Sequence, residues 1–299
     1  MPCFSMLRAW QKGKGSKPVF SPYPRYTPIQ LPCGQCVGCR YDRAKMWANR
    51  CIHESTLHSS NCFITLTYSD EHLPQYNSLY YPHFSKFLKR LRKRYSGTTV
   101  RFFMCGEYGD LNWRPHYHAL LFGICFNDLK LWQRTKSNEL IYRSSILESL
   151  WPFGHSSVGV LTLKSAGYVA RYNIKKINGD LAESHYERFD QVTGEVYNLV
   201  PEFCQMSRKP GIGSDYFHKY KSSIYSVDAI VSKDGRRDRV PRYYDKLMKD
   251  IDGDTFDLIQ SNRLQRIADL YSALPEDQVF DSKSEYIFRE KVRPLKRNL

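Results

Sequence analysis

Three short runs constrain this chain more than any other feature. Cys62–Tyr68 (CFITLTY), Val100–Cys105 (VRFFMC) and His116–Phe122 (HYHALLF) are rich in β-branched and aromatic residues and too short for stable helices, so each reads as a strand. The segments around them follow a helical period. Arg40–His58 brings Ala44, Trp47, Ala48 and Cys51 to one face, and His83–Tyr95 does the same with Phe84, Phe87, Leu88, Leu91 and Tyr95. Strands and helices intermix without a βαβ rhythm, which predicts an α+β fold with a central antiparallel sheet flanked by helices.

The remaining segments fill in that outline. Leu140–Leu150 is expected to be a helix, Ser156–Leu163 a strand, and Ser165 the N-cap of a helix reaching about Lys176. Residues 11–32, rich in Pro, Gly, Ser and Tyr, suggest an extended arm. The polar stretch from Ile177 to Phe203, with a Thr193–Gly194 turn, reads as an insertion, and Ala229–Val240 as a hairpin turning at Asp234–Gly235. The expected organisation is a Cys-rich arm over 1–40, a central domain over 41–245 with the candidate insertion at 177–203, and a charged helical tail over 246–299.

Charge and composition narrow the class of partner. Forty-five Lys and Arg against 30 Asp and Glu leave a formal charge of +15, alongside 22 Tyr and 16 Phe. Cations for phosphates and rings for bases suit a single-stranded nucleic acid. The longest apolar run, Ala119–Phe126, has eight residues, far short of a membrane span. Met1–Lys17 lacks the apolar stretch of a secretory signal, and nine clustered cysteines do not make the even framework of a secreted domain. The expectation is a soluble, cytosolic protein. No phosphate-binding loop of NTPase spacing is present, since Gly13-Lys-Gly-Ser-Lys is too short.

Two residue pairs carry candidate chemistry. On a strand, His116 and His118 point to the same side with Cα atoms about 7 Å apart, close enough for both imidazoles to chelate one ion. Glu107, nine residues before His116 at the end of the preceding strand, can add a carboxylate. Two nitrogens and an oxygen leave coordination positions open and suit Mg2+ or Mn2+ better than a closed zinc site. Tyr168 and Tyr172, four residues apart, share one face of a helix that Lys175 and Lys176 continue. A phenol can act as a nucleophile at phosphorus, with a lysine steadying the negative charge, although both rings also suit plain aromatic packing.

Three further clusters stand out. Cys33, Cys36 and Cys39 lie at three-residue spacing, and Cys3 could supply a fourth thiolate. Structural zinc, a redox pair and unliganded thiols are all open for this cluster. Cys51, Cys62, Cys105, Cys125 and Cys204 read as small core residues. Lys86, Lys89, Arg90, Arg92, Lys93 and Arg94 crowd one helix face, and Lys233, Arg236, Arg237 and Arg239 surround a hairpin tip. Either cluster could contact DNA phosphates.

The order of these motifs, Thr65–Tyr68 (TLTY), then His-Tyr-His, then Tyr-x-x-x-Tyr, resembles the HUH endonucleases, the rolling-circle replication initiators and their relatives. YVARYNIKK is similar to the paired-tyrosine helix of microvirus replication initiators. MPC at the start, PCGQCVGC (Pro32–Cys39), RPHYHALLFG, SRKPGIG (Ser207–Gly213) and VPRYY (Val240–Tyr244) resemble the gokushovirus-type members, and the likeness spans residues 1 to about 245. It implies a sheet palm with the histidines on central strands, a divalent ion on His116, His118 and Glu107, and Tyr168 and Tyr172 as nucleophiles. Lys176 most resembles the family's lysine, with Lys175 its rival. One departure is Tyr117, an aromatic residue with a polar tip between the histidines. The implied activity nicks origin DNA, holds the 5′ phosphate on tyrosine, leaves a 3′ hydroxyl for rolling-circle synthesis and rejoins the ends. The implied partners are single-stranded origin DNA and a host helicase and polymerase, and the implied location is the cytoplasm of a bacterial host. Two other readings use the same residues: a two-tyrosine HUH transposase, and a non-catalytic zinc-containing protein that stacks single-stranded nucleic acid on its tyrosines.

Overall fold

The computed structural model describes residues 3–13, 16–109, 112–135, 137–175, 181–190, 193–232 and 235–272; the side chains of 172–175, 181, 267–268 and 270–272 fall outside that description. The described chain forms two compact units, an N-terminal one up to Arg43 and a larger one over Ala44–Tyr271. Among the described residues no helix is long and apolar enough to cross a membrane.

The N-terminal unit contains β1 (Leu7–Gln11) and β2 (Thr27–Leu31), paired antiparallel from Leu7↔Leu31 to Gln11↔Thr27. The expected extended arm is therefore a two-stranded ribbon. Its Pro and Gly residues fall mainly in the connection between strands, where they cannot interrupt the ladder. Helix α1 (Val37–Ser55) begins here and ends in the larger unit.

The larger unit is organised by a seven-stranded antiparallel sheet. Its strands are β3 (Asn61–Tyr68), β4 (Arg101–Tyr108), β5 (Pro115–Phe122), β6 (Lys130–Arg134), β7 (Leu140–Arg143), β8 (Gly154–Gly159) and, after two strands outside this sheet, β11 (Phe203–Met206). They lie in the order β11-β4-β5-β3-β8-β7-β6. The intervening β9 (Glu187–Phe189) and β10 (Val196–Asn198) form a hairpin across the Thr193–Gly194 turn. The helices are α2 (Tyr81–Arg94), α3 (Ser145–Leu150), α4 (Leu163–Lys175), α5 (Leu181–Tyr186), α6 (Ser214–Val227), α7 (Arg242–Ile251) and α8 (Gly253–Ser272). The short β12 (Ile230–Val231) and β13 (Arg237–Asp238) pair as the expected hairpin.

Side-chain alternation gives the sheet two working faces. On one, Ile64, Leu66, Tyr68, Phe102, Met104, Tyr117, Ala119 and Leu121 pack with Phe84, Phe87, Leu88 and Leu91 of α2 and with Trp151. Burying each large apolar side chain contributes about 1.5–3 kcal/mol. Tyr117 is fully buried here, with burial pushing its phenol up to about 12, yet its polar tip is satisfied. Its hydroxyl accepts the Tyr80 N–H at 2.9 Å and pairs with the Tyr68 hydroxyl at 3.1 Å. The departure between the histidines is thus a packing element on the far face of their strand.

Three local expectations change in the structure. Leu140–Leu150 is a strand followed by a helix: Ile141 and Tyr142 pair with Gly159 and Val158 of β8, and Ser144 caps α3 by accepting the Leu147 N–H at 3.1 Å. Sheet pairing overrides the helical spacing there. The strand expected over Ser156–Leu163 stops at Gly159 because α4 starts at Leu163. Ser165 is not the N-cap. Thr162 accepts the Ser165 N–H at 3.1 Å and Ser165 Oγ accepts the Thr162 N–H at 2.8 Å, a reciprocal capping box with Thr162 at its head.

Gly106 makes room for Tyr117. A Cβ there would lie 3.1 Å from Leu79 and Phe203 and 3.2 Å from the Tyr117 ring, whereas one at Gly167 on α4 would meet nothing within 4 Å. Gly106→Ala should therefore destabilise the protein by roughly 1–3 kcal/mol through overpacking. Gly167→Ala should stabilise it by about 0.5–1 kcal/mol through helix propensity. Thermal unfolding of both variants checks the opposite signs.

Candidate active site

The face of the sheet opposite α2 carries the polar cluster. The β4–β5 register sets Glu107 directly across from His116 and Cys105 across from His118, and the β3–β5 register sets Thr65 across from His118. Glu107, His116 and His118 therefore converge from two adjacent strands. Glu107 Oε1 lies 2.7 Å from His116 Nε2 and 2.9 Å from His118 Nε2. Glu107 is buried, and although burial alone would raise its carboxyl, the two imidazoles hold it down at about 2.

The far side of each imidazole is also fixed. His118 Nδ1 meets Thr65 Oγ1 at 2.9 Å, and its ring stacks on Phe63 with centroids 5.5 Å apart. His116 Nδ1 lies 3.0 Å from the Arg114 carbonyl oxygen. That carbonyl can only accept, so Nδ1 donates to it and Nε2 is the nitrogen that faces Glu107 Oε1. Two lone pairs at 2.7 Å repel unless a proton or a cation lies between them. A divalent ion could take that place, and the donor atoms of all three residues lie within 4.8 Å of one another. The residues fit such an ion: two imidazoles and one carboxylate on rigid strands, with partners behind both rings.

Helix α4 brings Tyr168 to this cluster. Ala166, Val169 and Ala170 are buried, which anchors the helix, while Tyr168 remains half-buried. Its hydroxyl lies 3.4 Å from Glu107 Oε1 and 3.5 Å from His118 Nε2, and its ring meets His118 edge-on at 5.0 Å. Gly167 beside it leaves open space. Tyr172 and Lys175 follow on the same helix, with their side chains outside the described residues, and Lys176 lies outside them altogether.

The candidate DNA contacts are distributed differently. Phe84 of α2 packs against Tyr117, whose side chain points away from the histidines, so the basic helix lies on the opposite face of the sheet from Glu107, His116 and His118. Lys86, Lys89, Lys93 and Arg94 are exposed there. Arg90 is instead half-buried and donates to the Leu150 carbonyl at 2.9 Å, and Arg92 donates to the Val100 carbonyl at 3.2 Å. Arg236, Arg237 and Arg239 are exposed on the β12–β13 hairpin, and Lys233 lies outside the described residues. Cys3, Cys33, Cys36 and Cys39 form a second group whose donor atoms come within 4.8 Å of one another and could hold a metal ion. Cys51, Cys62 and Cys105 are buried as expected, while Cys125 and Cys204 are only partly so.

The sequence pattern did not single out Thr65, Phe63 or the Arg114 carbonyl as supports of the imidazoles. Alternation was the available signal for the first two. Odd-numbered residues of β3 share a face with the even-numbered residues of β5, but that register is visible only once the strands are paired.

Comparison with known proteins places the chain in a family. The model of the family described as replication-associated protein ORF2/G2P matches residues 61–177, the stretch from β3 through α4 that contains the cluster. The replication-associated protein ORF2 of Spiroplasma virus 4 is 34% identical over 273 residues, covering 83% of this chain and 81% of that protein. The replication-associated protein VP4 of Bdellovibrio phage phiMH2K is 34% identical over 221 residues, covering 72% of this chain and 66% of the relative. The replication-associated protein ORF4 of Chlamydia phage 1 is 30% identical over 258 residues, covering 79% of this chain and 58% of the relative. No solved structure matches the chain. With a third of its residues shared along most of its length, the chain belongs to the family of phage replication-associated proteins that these relatives from the Microviridae represent.

Proposed function

We propose that this protein is an HUH-type replication initiator that nicks single-stranded origin DNA by tyrosine attack and later rejoins the ends. The observation that carries the reading is the Tyr168 hydroxyl, 3.5 Å from His118 Nε2 and 3.4 Å from Glu107 Oε1, beside a group of residues suited to a divalent ion. His116, His118 and Glu107 would hold Mg2+ or Mn2+, which when bound supplies Lewis-acid polarisation of the scissile phosphate.

Tyr168 Oη forms a bond to phosphorus as the bond from phosphorus to the 3′ oxygen breaks. The phenol loses one proton and the 3′ oxygen gains one. One phosphodiester replaces another, so the covalent intermediate stores the energy needed for rejoining and no nucleotide cofactor is consumed. Phe63 and Thr65 hold the His118 ring in place. Tyr172 is the second nucleophile, able to attack regenerated origin while the first still carries DNA, and Lys176 or Lys175 steadies the phosphate charge. The arginines of the β12–β13 hairpin and the exposed cations of α2 are candidate phosphate contacts. A host helicase and polymerase would open and copy the DNA in the cytoplasm of the bacterial host.

Labelled single-stranded origin DNA incubated with the protein and Mn2+ should give a product that migrates with protein on a denaturing gel. The adduct should vanish with chelator and in the Tyr168→Phe/Tyr172→Phe double variant. Specific DNA binding with no adduct under these conditions would reject strand transfer in favour of base stacking on the tyrosines.

Loss of the Thr65 hydroxyl should act through His118. Thr65→Val should weaken Mn2+ binding about 10–100-fold, as removal of a ligand's outer hydrogen bond does, with little change in melting temperature. Titration of Mn2+ followed by its magnetic-resonance signal checks this, and unchanged affinity would show that the hydroxyl does not orient the ring.

A further inference from the structure

The cysteine group lies in a unit with almost no hydrophobic core. Of the described residues up to Arg43, Ala9 and Gly38 are the ones that are buried. A two-stranded ribbon joined to the start of one helix cannot offset its chain entropy with so little apolar burial, and units of this size are held by disulfides or metal ions. None of the four thiols is in a disulfide.

Their arrangement fits one tetrahedral ion. With zinc–sulfur bonds of about 2.3 Å, neighbouring sulfurs of a four-thiolate site lie about 3.8 Å apart. Cys3 Sγ lies 3.5 Å from Cys33 Sγ and 3.8 Å from Cys36 Sγ, and all four sulfurs fall within 4.8 Å of one another. A multi-iron cluster would have to fit its own atoms between the ligands, so this spacing favours a single ion. Backbone N–H groups point at three of the four sulfurs. Cys36 Sγ accepts the Phe4 N–H at 3.4 Å, Cys3 Sγ accepts the Cys33 N–H at 3.2 Å, and Cys33 Sγ accepts the N–H groups of Gln35 and Cys36 at 3.4 and 3.2 Å. Such donors favour the thiolate. Gly34 makes the turn at a φ of 73°, and Arg43 ties it by donating to its carbonyl at 3.2 Å.

We propose that Cys3, Cys33, Cys36 and Cys39 bind one structural Zn2+ that holds the N-terminal segment to the start of α1 and stands in for the missing core of this unit. Binding exchanges up to four thiol protons for the ion and releases them to solvent. Four sulfurs fill the tetrahedron and leave no open position, so this zinc would be structural and independent of the Glu107, His116 and His118 group.

Elemental analysis of the full chain, purified without chelator, should find one zinc per chain. Cys39→Ser should reduce it at least about tenfold, while His116→Ala and Cys125→Ser should leave it unchanged. Since Cys39→Ser could act through misfolding, the wild-type protein gives a second readout: stepwise titration with a mercurial reagent should release zinc in proportion to four thiols. Cobalt-substituted protein should show the visible bands of a tetrahedral thiolate site. Protein free of zinc with four reactive thiols, iron in its place, or zinc lost in His116→Ala but kept in Cys39→Ser would overturn the proposal.

Discussion

The antiparallel register of β4 and β5 is the constraint on which the site depends. It sets Glu107 across from His116, and two-residue alternation then carries His118 to the same face. A slip of one residue would turn both imidazoles into the apolar core and bring Tyr117 out. Tyr117 resists that slip. Its ring is locked among Phe84, Trp151 and Tyr68, and its hydroxyl is satisfied by Tyr80 and Tyr68. The residue between the histidines thus fixes the register that makes them a pair.

Ligand-like geometry without rigid backing would be a weak site. Here each imidazole is held at both nitrogens, by Glu107 on one side and by Thr65 or the Arg114 carbonyl on the other. Arg114 is itself tied to the Tyr68 carbonyl at 2.8 Å and to Asp70. Helix α4 adds the phenol through a separate mechanism: a capping box at Thr162 starts the helix, and buried Ala166, Val169 and Ala170 anchor it, with Tyr168 left at the cluster.

The two faces of the sheet divide the labour. Apolar residues and α2 stabilise one face, and the polar cluster occupies the other. This division changes the meaning of the basic run Lys86–Arg94. It is a true helix face, but it lies behind the sheet, and Arg90 and Arg92 bind backbone carbonyls there. Net charge of +15 favours polyanions in general, but where a strand of DNA could lie depends on which cations share a surface with Tyr168.

The sequence alone pointed to an α+β fold with an antiparallel sheet, to the strands at β3, β4 and β5, to the helices α1 and α2, and to Glu107, His116 and His118 as one group, whereas Tyr168 joined that group only through the family resemblance. The elements and the group of three follow from periods of two and 3.6 residues and from side-chain chemistry, which are local properties. It misread Leu140–Leu150 because the helical spacing there competes with pairing to β8, a contact that only tertiary structure supplies. It named Ser165 as the cap because Thr162 and Ser165 form a reciprocal pair and both residue types suit the position. Which face α2 covers, what stands behind each imidazole and how four cysteines up to 36 residues apart converge were decided by the tertiary structure. Those features depend on the register between distant strands and on the path of the backbone through turns, and neither is written in any one segment of the chain.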